Sequence, residues 1–406
     1  MLYGTQVDHR RPGRAARYVS GVAVRIAVGL SESFDAVEAF SEASADAARK
    51  LGAPCDLCLL FAGAPHLGHG KWILSTVHEQ LEPRHLIGCG AGGVVGAGRE
   101  IEEGPAAAVW AASMPQAQIS THHFEVEQDD EGFRVLGLES LSPSDCMLVL
   151  ADPYSFATEA LLDQVNVLRP SMPVLGGLAS ASAVGSASLF RNGDVLNSGA
   201  VGCSLSGVGV LPCVSQGAAP VGPEMTITAA HDNVIEELAS RPAIERLREA
   251  LGSLDAHEQQ LAASGLMLGI VIDENKPEYE RGDFLVRPII AADGDAGTIA
   301  LGERIRIGQT VRMHIRDGAS ADEDLRAALG AQAKALGSAQ AAGALVFTCN
   351  GRGSHMFEIA DHDATAIEDA LGVPAGGFFC AGEIGPVGGR NFLHGFTATL
   401  AVFAAE

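Results

Sequence analysis

The residues best suited to chemistry stand in the C-terminal part of the chain. Cys349-Asn350-Gly351-Arg352-Gly353-Ser354-His355 follows an apolar run, Leu345-Val346-Phe347, that reads as a buried strand. A thiol, a carboxamide, a guanidinium and an imidazole thus leave one strand end together, among glycines whose backbone N–H groups can approach an anion. A second group is Gly376-Gly377-Phe378-Phe379-Cys380-Ala381-Gly382-Glu383-Ile384-Gly385-Pro386, followed by Gly388-Gly389-Arg390-Asn391-Phe392-Leu393-His394-Gly395. Glycine at that density costs conformational entropy, which a special backbone path or a close ligand would account for. Two chemistries fit. In the first, the backbone of 349–353 with Arg352 and Arg390 takes an anionic group, Glu383 takes an ammonium and His394 adjusts the charge, a pairing that suits a zwitterion such as an amino acid. In the second, Cys349 is a nucleophile whose pKa an arginine lowers, with His355 or His394 as base.

Other motifs carry less. Gly88-Cys89-Gly90-Ala91-Gly92-Gly93 satisfies G-x-G-x-x-G after a strand, but Gly96 and Gly98 stand where a helix would have to receive a pyrophosphate. Cys55-x-x-Cys58 and His66-x-x-His69 have no second Cys pair at zinc-finger spacing, and Cys55 and Cys58 open an apolar strand. Asp293-x-Asp295 lacks the bidentate Glu of a calcium loop, since Arg304 stands there, and reads as a hairpin turn. Neither a metal nor a cofactor is expected.

Elements must be found that can hold these residues. Three segments share one plan of apolar strand, polar loop, helix and short Gly-rich strand: Leu57 to Gly88, Met147 to Gly176 and Leu345 to Gly376, with separations of 31, 29 and 31. That is the span of a βαβ unit, with two units in the first half and one in the second. Further local signals are Phe34, Val37, Phe40, Ala47 and Leu51 on one helix face, a helix opened by Pro242, and a Ser320/Glu323 capping box ahead of Leu325. Loops at the carboxyl ends of parallel strands gather on one edge, so Arg352 and Glu383 are expected beside a cleft walled partly by the N-terminal half, near residues 176–180 or His66.

Composition sets the outer limits. A chain of 406 residues exceeds what one core usually organises, and 47% apolar with 19% charged residues folds. The fold class expected is α/β, with two mixed α/β domains containing related strand-loop-helix-strand units. Residues 1–19 read as a disordered leader, 20–232 as the first domain and 233–406 as the second. Against 50 acidic residues stand 27 basic ones, and a net charge of −23 would repel a phosphate backbone. Nucleic acid is therefore not an expected partner. Eight scattered cysteines fit a reducing cytoplasm, and no apolar run approaches the length of a membrane span.

The motifs carry a resemblance. Residues 347–353, 377–391 and 393–397 resemble the C-terminal FIST domain (F-box and intracellular signal transduction), while 174–180 and 216–223 resemble the N-terminal one. The resemblance implies a cytoplasmic sensory protein that binds a small ligand, amino acids among the candidates, and acts in signal transduction. No kinase, cyclase or F-box segment is visible here, so a signalling output would come through a separate protein partner. The ligand-binding set expected from the sequence is Cys349, Asn350, Gly351, Arg352, Gly353, Cys380, Glu383, Gly385, Arg390, Asn391 and His394. The alternative, a cysteine-dependent enzyme, uses Cys349 with His394.

Overall fold

The computed structural model describes residues 23–130, 132–181 and 188–405. The expected leader at 1–19 lies outside them. The first strand, Arg25–Ser31, runs into the helix Ala36–Leu51, whose Asp35 cap accepts from Val37 N and Glu38 N at 2.9 Å each and whose exit is Gly52 at φ 58°. The buried stripe is Ala36, Ala39, Phe40, Ala43, Ala47 and Leu51. Phe34 and Val37, expected on it, are 88% and 42% exposed. Phe34 precedes the cap and so falls outside the helical period, and the alanines let the helix close on the sheet: a Cβ on Gly29 would sit 1.9 Å from the Ala43 carbonyl. The helix Gly318–Leu336 likewise starts differently from the expected capping box. Its cap is Asp317, which accepts from Ala319 N and Ser320 N.

Three of the four sheets repeat one pairing pattern, and this makes the protein a mixed α/β fold built from related units. In the first, Arg25–Ser31 pairs antiparallel with Ala107–Ser113, which pairs antiparallel with Leu57–Gly63, which is parallel to His85–Ala91. The second sheet repeats this order with Gln118–Asp129, Ala200–Ser206, Cys146–Ala151 and Val174–Leu178. In the third the order is Val210–Gln216, Thr397–Ala404, Ala341–Cys349 and Ala375–Cys380. Each sheet is then completed by a hairpin borrowed from another unit. The hairpin after His85–Ala91 pairs with Ala375–Cys380, the one after Val174–Leu178 pairs with His85–Ala91, and the one after Ala375–Cys380 pairs with Val174–Leu178. The exchange is cyclic, so the three units interlock.

The helices lie on the outer faces of these sheets, over Ala27, Leu60 and Val109 in the first, Met147 and Val149 in the second and Val346 and Leu400 in the third. The inner faces share one core, in which Phe61, Trp110, Leu150, Leu175, Phe347, Phe378 and Phe403 meet. Phe61 stacks on Phe378 at 5.0 Å, joining the first unit to the third. The parallel pair of each unit carries a glycine opposite a strand carbonyl. A Cβ would lie 2.4 Å from the Leu60 oxygen at Gly88, 1.8 Å from the Val149 oxygen at Gly176 and 1.8 Å from the Val346 oxygen at Gly377. Gly377→Ala is therefore expected to cost about 2–3 kcal/mol, because backbone must move to admit the methyl. Urea denaturation measures this, and a loss below about 0.5 kcal/mol would contradict the close approach.

The fourth sheet comes wholly from residues 218–316, inserted between Val210–Gln216 and the helix Gly318–Leu336 of the third unit. Its own core sets the helix Ala243–Ser253, which follows Pro242, against Ile227, Leu268, Ile299 and Met313. The boundary expected at 232 falls in a turn between the paired strands Ala218–His231 and Val234–Leu238. Sheet pairing groups the described residues into three interlocked units and this insert. Among the described residues no helix is long and apolar enough to cross a membrane.

Candidate functional site

The parallel strands Ala341–Cys349 and Ala375–Cys380 end side by side, with Cys349 and Cys380 in register. Beyond Cys349 the chain turns sharply, Arg352 N donating to the Cys349 carbonyl at 2.8 Å and Asn350 N to the Cys380 carbonyl at 2.9 Å. This turn sends the Arg352 side chain inward, where it is 1% exposed. Its Nε and Nη2 donate to Asp363 Oδ2 and Oδ1, both at 2.8 Å. Thr348 Oγ1 donates to Asp363 at 2.8 Å, and His362 Nδ1 lies 2.9 Å from it. Despite its burial the Asp363 carboxyl is held well below the usual range, by the Arg352 charge and these hydrogen bonds. The Arg352 guanidinium also lies 5.0 Å from the centre of the Phe357 ring. Arg352 Nη1 finds no partner among the described residues.

Glu383 is a further buried ionisable side chain. It is fully buried, and Oε2 accepts from Thr397 N at 3.0 Å and Thr397 Oγ1 at 2.8 Å. Oε1 lacks a satisfactory hydrogen bond among the described residues, although the Cys349 thiol faces the carboxylate. Burial pushes the Glu383 carboxyl up to about 8, against the lowering pull of Thr397, Arg352 and Cys349. The repeated architecture shows how unusual this residue is. Glu383 pairs with Gly177, while the positions equivalent to it in the other two borrowed hairpins are Leu189, paired with Cys89, and Val94, paired with Phe378. Both are apolar and fully buried. The fold accommodates a hydrocarbon at this place twice and a carboxyl once.

Of the residues expected to form a site, Cys349, Gly351, Arg352, Cys380 and Glu383 come together. Gly351 N donates to Cys349 Sγ at 3.3 Å, and Cys380 packs where a Cβ on Gly177 would touch its sulfur. Asn350 is exposed beside them, and Gly353 turns the chain at φ 104° against Glu102, which accepts from Ser354 N at 2.7 Å. Gly385 backs the strand against Val214 and Thr399. Three residues do other work. Arg390 is exposed, 5.9 Å from the Phe392 ring centre. Asn391 fastens the third unit to the second, accepting from Val174 N at 2.8 Å and donating to the Met172 carbonyl at 2.9 Å. His394, the register partner of Glu383, bonds the Gly385 carbonyl through Nε2 at 3.0 Å and is pushed down to about 4 by burial.

The surroundings of Cys349 oppose a thiolate, although Arg316 pulls in the other direction. Its thiol is pushed up to about 12, first by burial and then by the Glu383 charge, whereas a reactive thiolate needs an electropositive, accessible environment. Among the described residues no group of three or more His, Cys, Asp or Glu side chains could hold a metal ion. Cys55 and Cys58 are buried in the core, and His66 is fully buried with its ring 6.3 Å from Phe40.

The N-terminal half does reach this cluster. Gly177 pairs with Glu383, and Glu100 Oε1 accepts from Ala364 N at 2.8 Å beside Asp363. A cleft of about 660 Å³ is lined by Ala219, His257, Arg281, Asp317, Glu323 and Asp324 among others. It does not open over Glu383, since it lies between the insert and the helix Gly318–Leu336. Asp363, Thr397 and Arg316, which donates to the Gly351 carbonyl, were not legible as site residues. The one available signal was that an arginine in an acidic chain, once buried, must find a carboxylate nearby.

The FIST N domain family matches residues 56–241 and the FIST C domain family matches 243–386. The chain belongs to the FIST family. It is 43% identical over 385 residues to the uncharacterized protein Rv0628c of Mycobacterium tuberculosis (strain ATCC 25618 / H37Rv), covering 94% of this chain and 100% of that protein. It is 41% identical over 387 residues to the uncharacterized protein Mb0898c of Mycobacterium bovis (strain ATCC BAA-935 / AF2122/97), again covering 94% and 100%. The FIST C match contains the whole Cys349, Arg352, Asp363 and Glu383 cluster, and the exchanged hairpins tie that cluster to the FIST N match.

Proposed function

We propose that this FIST protein is a cytoplasmic sensory protein that binds a small zwitterionic ligand of the amino-acid type and signals through a separate protein. The observation that carries the reading is a pair of buried atoms of opposite character in one cluster, Arg352 Nη1, which finds no partner among the described residues, and Glu383 Oε1, which faces only the Cys349 thiol. An unmade hydrogen bond at a buried charge costs more than at a neutral group, so a ligand carboxylate on Nη1 and a ligand ammonium on Oε1 would relieve both. The ammonium would also ionise Glu383, so binding would release a proton near neutral pH.

Thermal denaturation of the full chain with each of the common amino acids at millimolar concentration tests the proposal. A true ligand at about a hundred times its Kd adds about 2.7 kcal/mol, which raises the Tm by several degrees, and Glu383→Gln abolishes the rise while the protein remains folded. A flat screen with folded wild-type protein overturns it.

A further inference from the structure

Residues 218–316 join the rest of the molecule through two stems, and both touch the site. On the way in, Gly217 N donates to the Phe396 carbonyl at 2.7 Å, and a Cβ at 217 would lie 2.1 Å from that oxygen. Gln216 ties three parts together: its N–H donates to Asp324 at 2.7 Å, its Nε2 donates to the Phe284 carbonyl at 2.7 Å, and its Oε1 accepts from Gly282 N at 3.3 Å. On the way out, Arg316 donates to the Gly351 carbonyl and its guanidinium stands 5.1 Å from the centre of the Phe396 ring. Phe396 immediately precedes Thr397, whose N–H and hydroxyl hold Glu383. One residue, Phe396, therefore bears on the entering stem through its carbonyl and on the leaving stem through its ring.

We propose that the inserted sheet is the output module of the sensor, with the state of Glu383 passed through Thr397 and Phe396 to both stems. The proposal rests on the ligand site assigned above and adds the route by which occupancy would leave it. Contacts of this closeness do not deform continuously, so a displaced Thr397 must move Phe396, and Phe396 is held at φ 65°, where few alternative conformations are open to a side chain of its size. The cleft beside the stems has walls from both the insert (Ala219, Pro220, Arg281) and the body (Ser320, Asp324). Movement at the stems would reshape it, giving a partner protein something to read. By reciprocity, whatever fixes the module must alter affinity at Glu383.

Hydrogen exchange on the full chain at about pH 9, where the wild-type carboxyl is ionised and the amide of Glu383→Gln stands for its protonated form, tests the route without any ligand. Exchange at 216–218, at 315–317 and in the strand Leu266–Val271 is expected to change by about threefold or more, while Leu57–Gly63 in the first sheet stays the same. Adding Phe396→Leu, or Arg316→Gln where that variant folds better, should remove the response of the module and leave the response at 397–399. A change confined to 380–399 overturns the proposal, as does a module response that survives the second substitution. The two readings fail separately. A flat amino-acid screen with a transmitted Glu383→Gln response removes the ligand reading alone, and amino-acid binding without transmission removes the route alone.

Discussion

Replacing Arg352 by alanine is expected to remove about 3–5 kcal/mol of folding stability, the usual loss when one member of a buried ion pair is deleted and its partner stays. The geometry places this variant at the upper end. Asp363 is 2% exposed and would keep only Thr348 and His362 as partners, while its two bonds from the guanidinium vanish. Lysine should rescue little, since a single ammonium cannot reproduce two parallel bonds to one carboxylate. Arg352→Met together with Asp363→Leu should instead recover much of the loss, because hydrocarbon of similar volume leaves no unpaired charge. Urea titrations of the three variants decide the matter. An Arg352→Ala chain within about 1 kcal/mol of wild type would mean that water reaches the pair and that the site is open to solvent.

How much of this was legible depended on the distance over which each feature is encoded. The strand, loop, helix and strand of every unit are local, which is why separations of 29 to 31 residues exposed them. The exchange of hairpins is not local: Phe190 pairs with Gly88, and Val95 with Gly377, across separations that hydrophobic periodicity does not record. The insert was hidden for the same reason, since its entry at Gly217 and exit at Arg316 become neighbours only when Ala218–His231 pairs with Thr310–Arg316. In the site, Arg352, Cys349 and Glu383 stood out because polar residues among buried strands and glycines are conspicuous. Asp363 did not, because an acid in the first turn of a helix has an ordinary explanation in the helix dipole. Arg390 and Asn391 misled in the opposite sense. Gly388 and Gly389, at φ 58° and 79°, form a tight turn that carries both away from Glu383, Arg390 to solvent and Asn391 to the second unit.

Stability should fall as pH rises from about 6.5 to 8, and Glu383→Gln should flatten that fall. The sign follows from proton binding. The Glu383 carboxyl is raised from 4.5 unfolded to about 8 folded, so the folded chain holds a proton that the unfolded chain has released, and the contribution present at acid pH is lost as pH climbs through that interval. At about 1.4 kcal/mol per pH unit, the whole interval amounts to on the order of 5 kcal/mol. Glu100, raised to about 7 by burial and by the Asp363 charge, adds a shorter component of the same sign. His314 and His394, pushed down to about 4 by burial, act oppositely: the unfolded chain binds the extra proton there, so their contribution rises with pH and is complete by about 6.5. Above that point the two glutamates slope first, and towards about pH 8.5 the buried thiols, raised by desolvation, add a fall of the same sign, which is why the comparison belongs between about 6.5 and 7.5. Urea denaturation of wild type, Glu383→Gln and Glu100→Gln at half-unit steps separates them. Between about 6.5 and 7.5 Glu383→Gln should fall less steeply than wild type, since the amide keeps the acceptor for Thr397 without a proton to lose. A slope in Glu383→Gln equal to that of wild type would show that the carboxyl is already ionised in the folded protein, and the buried cluster would then lack the proton that ligand binding is expected to displace.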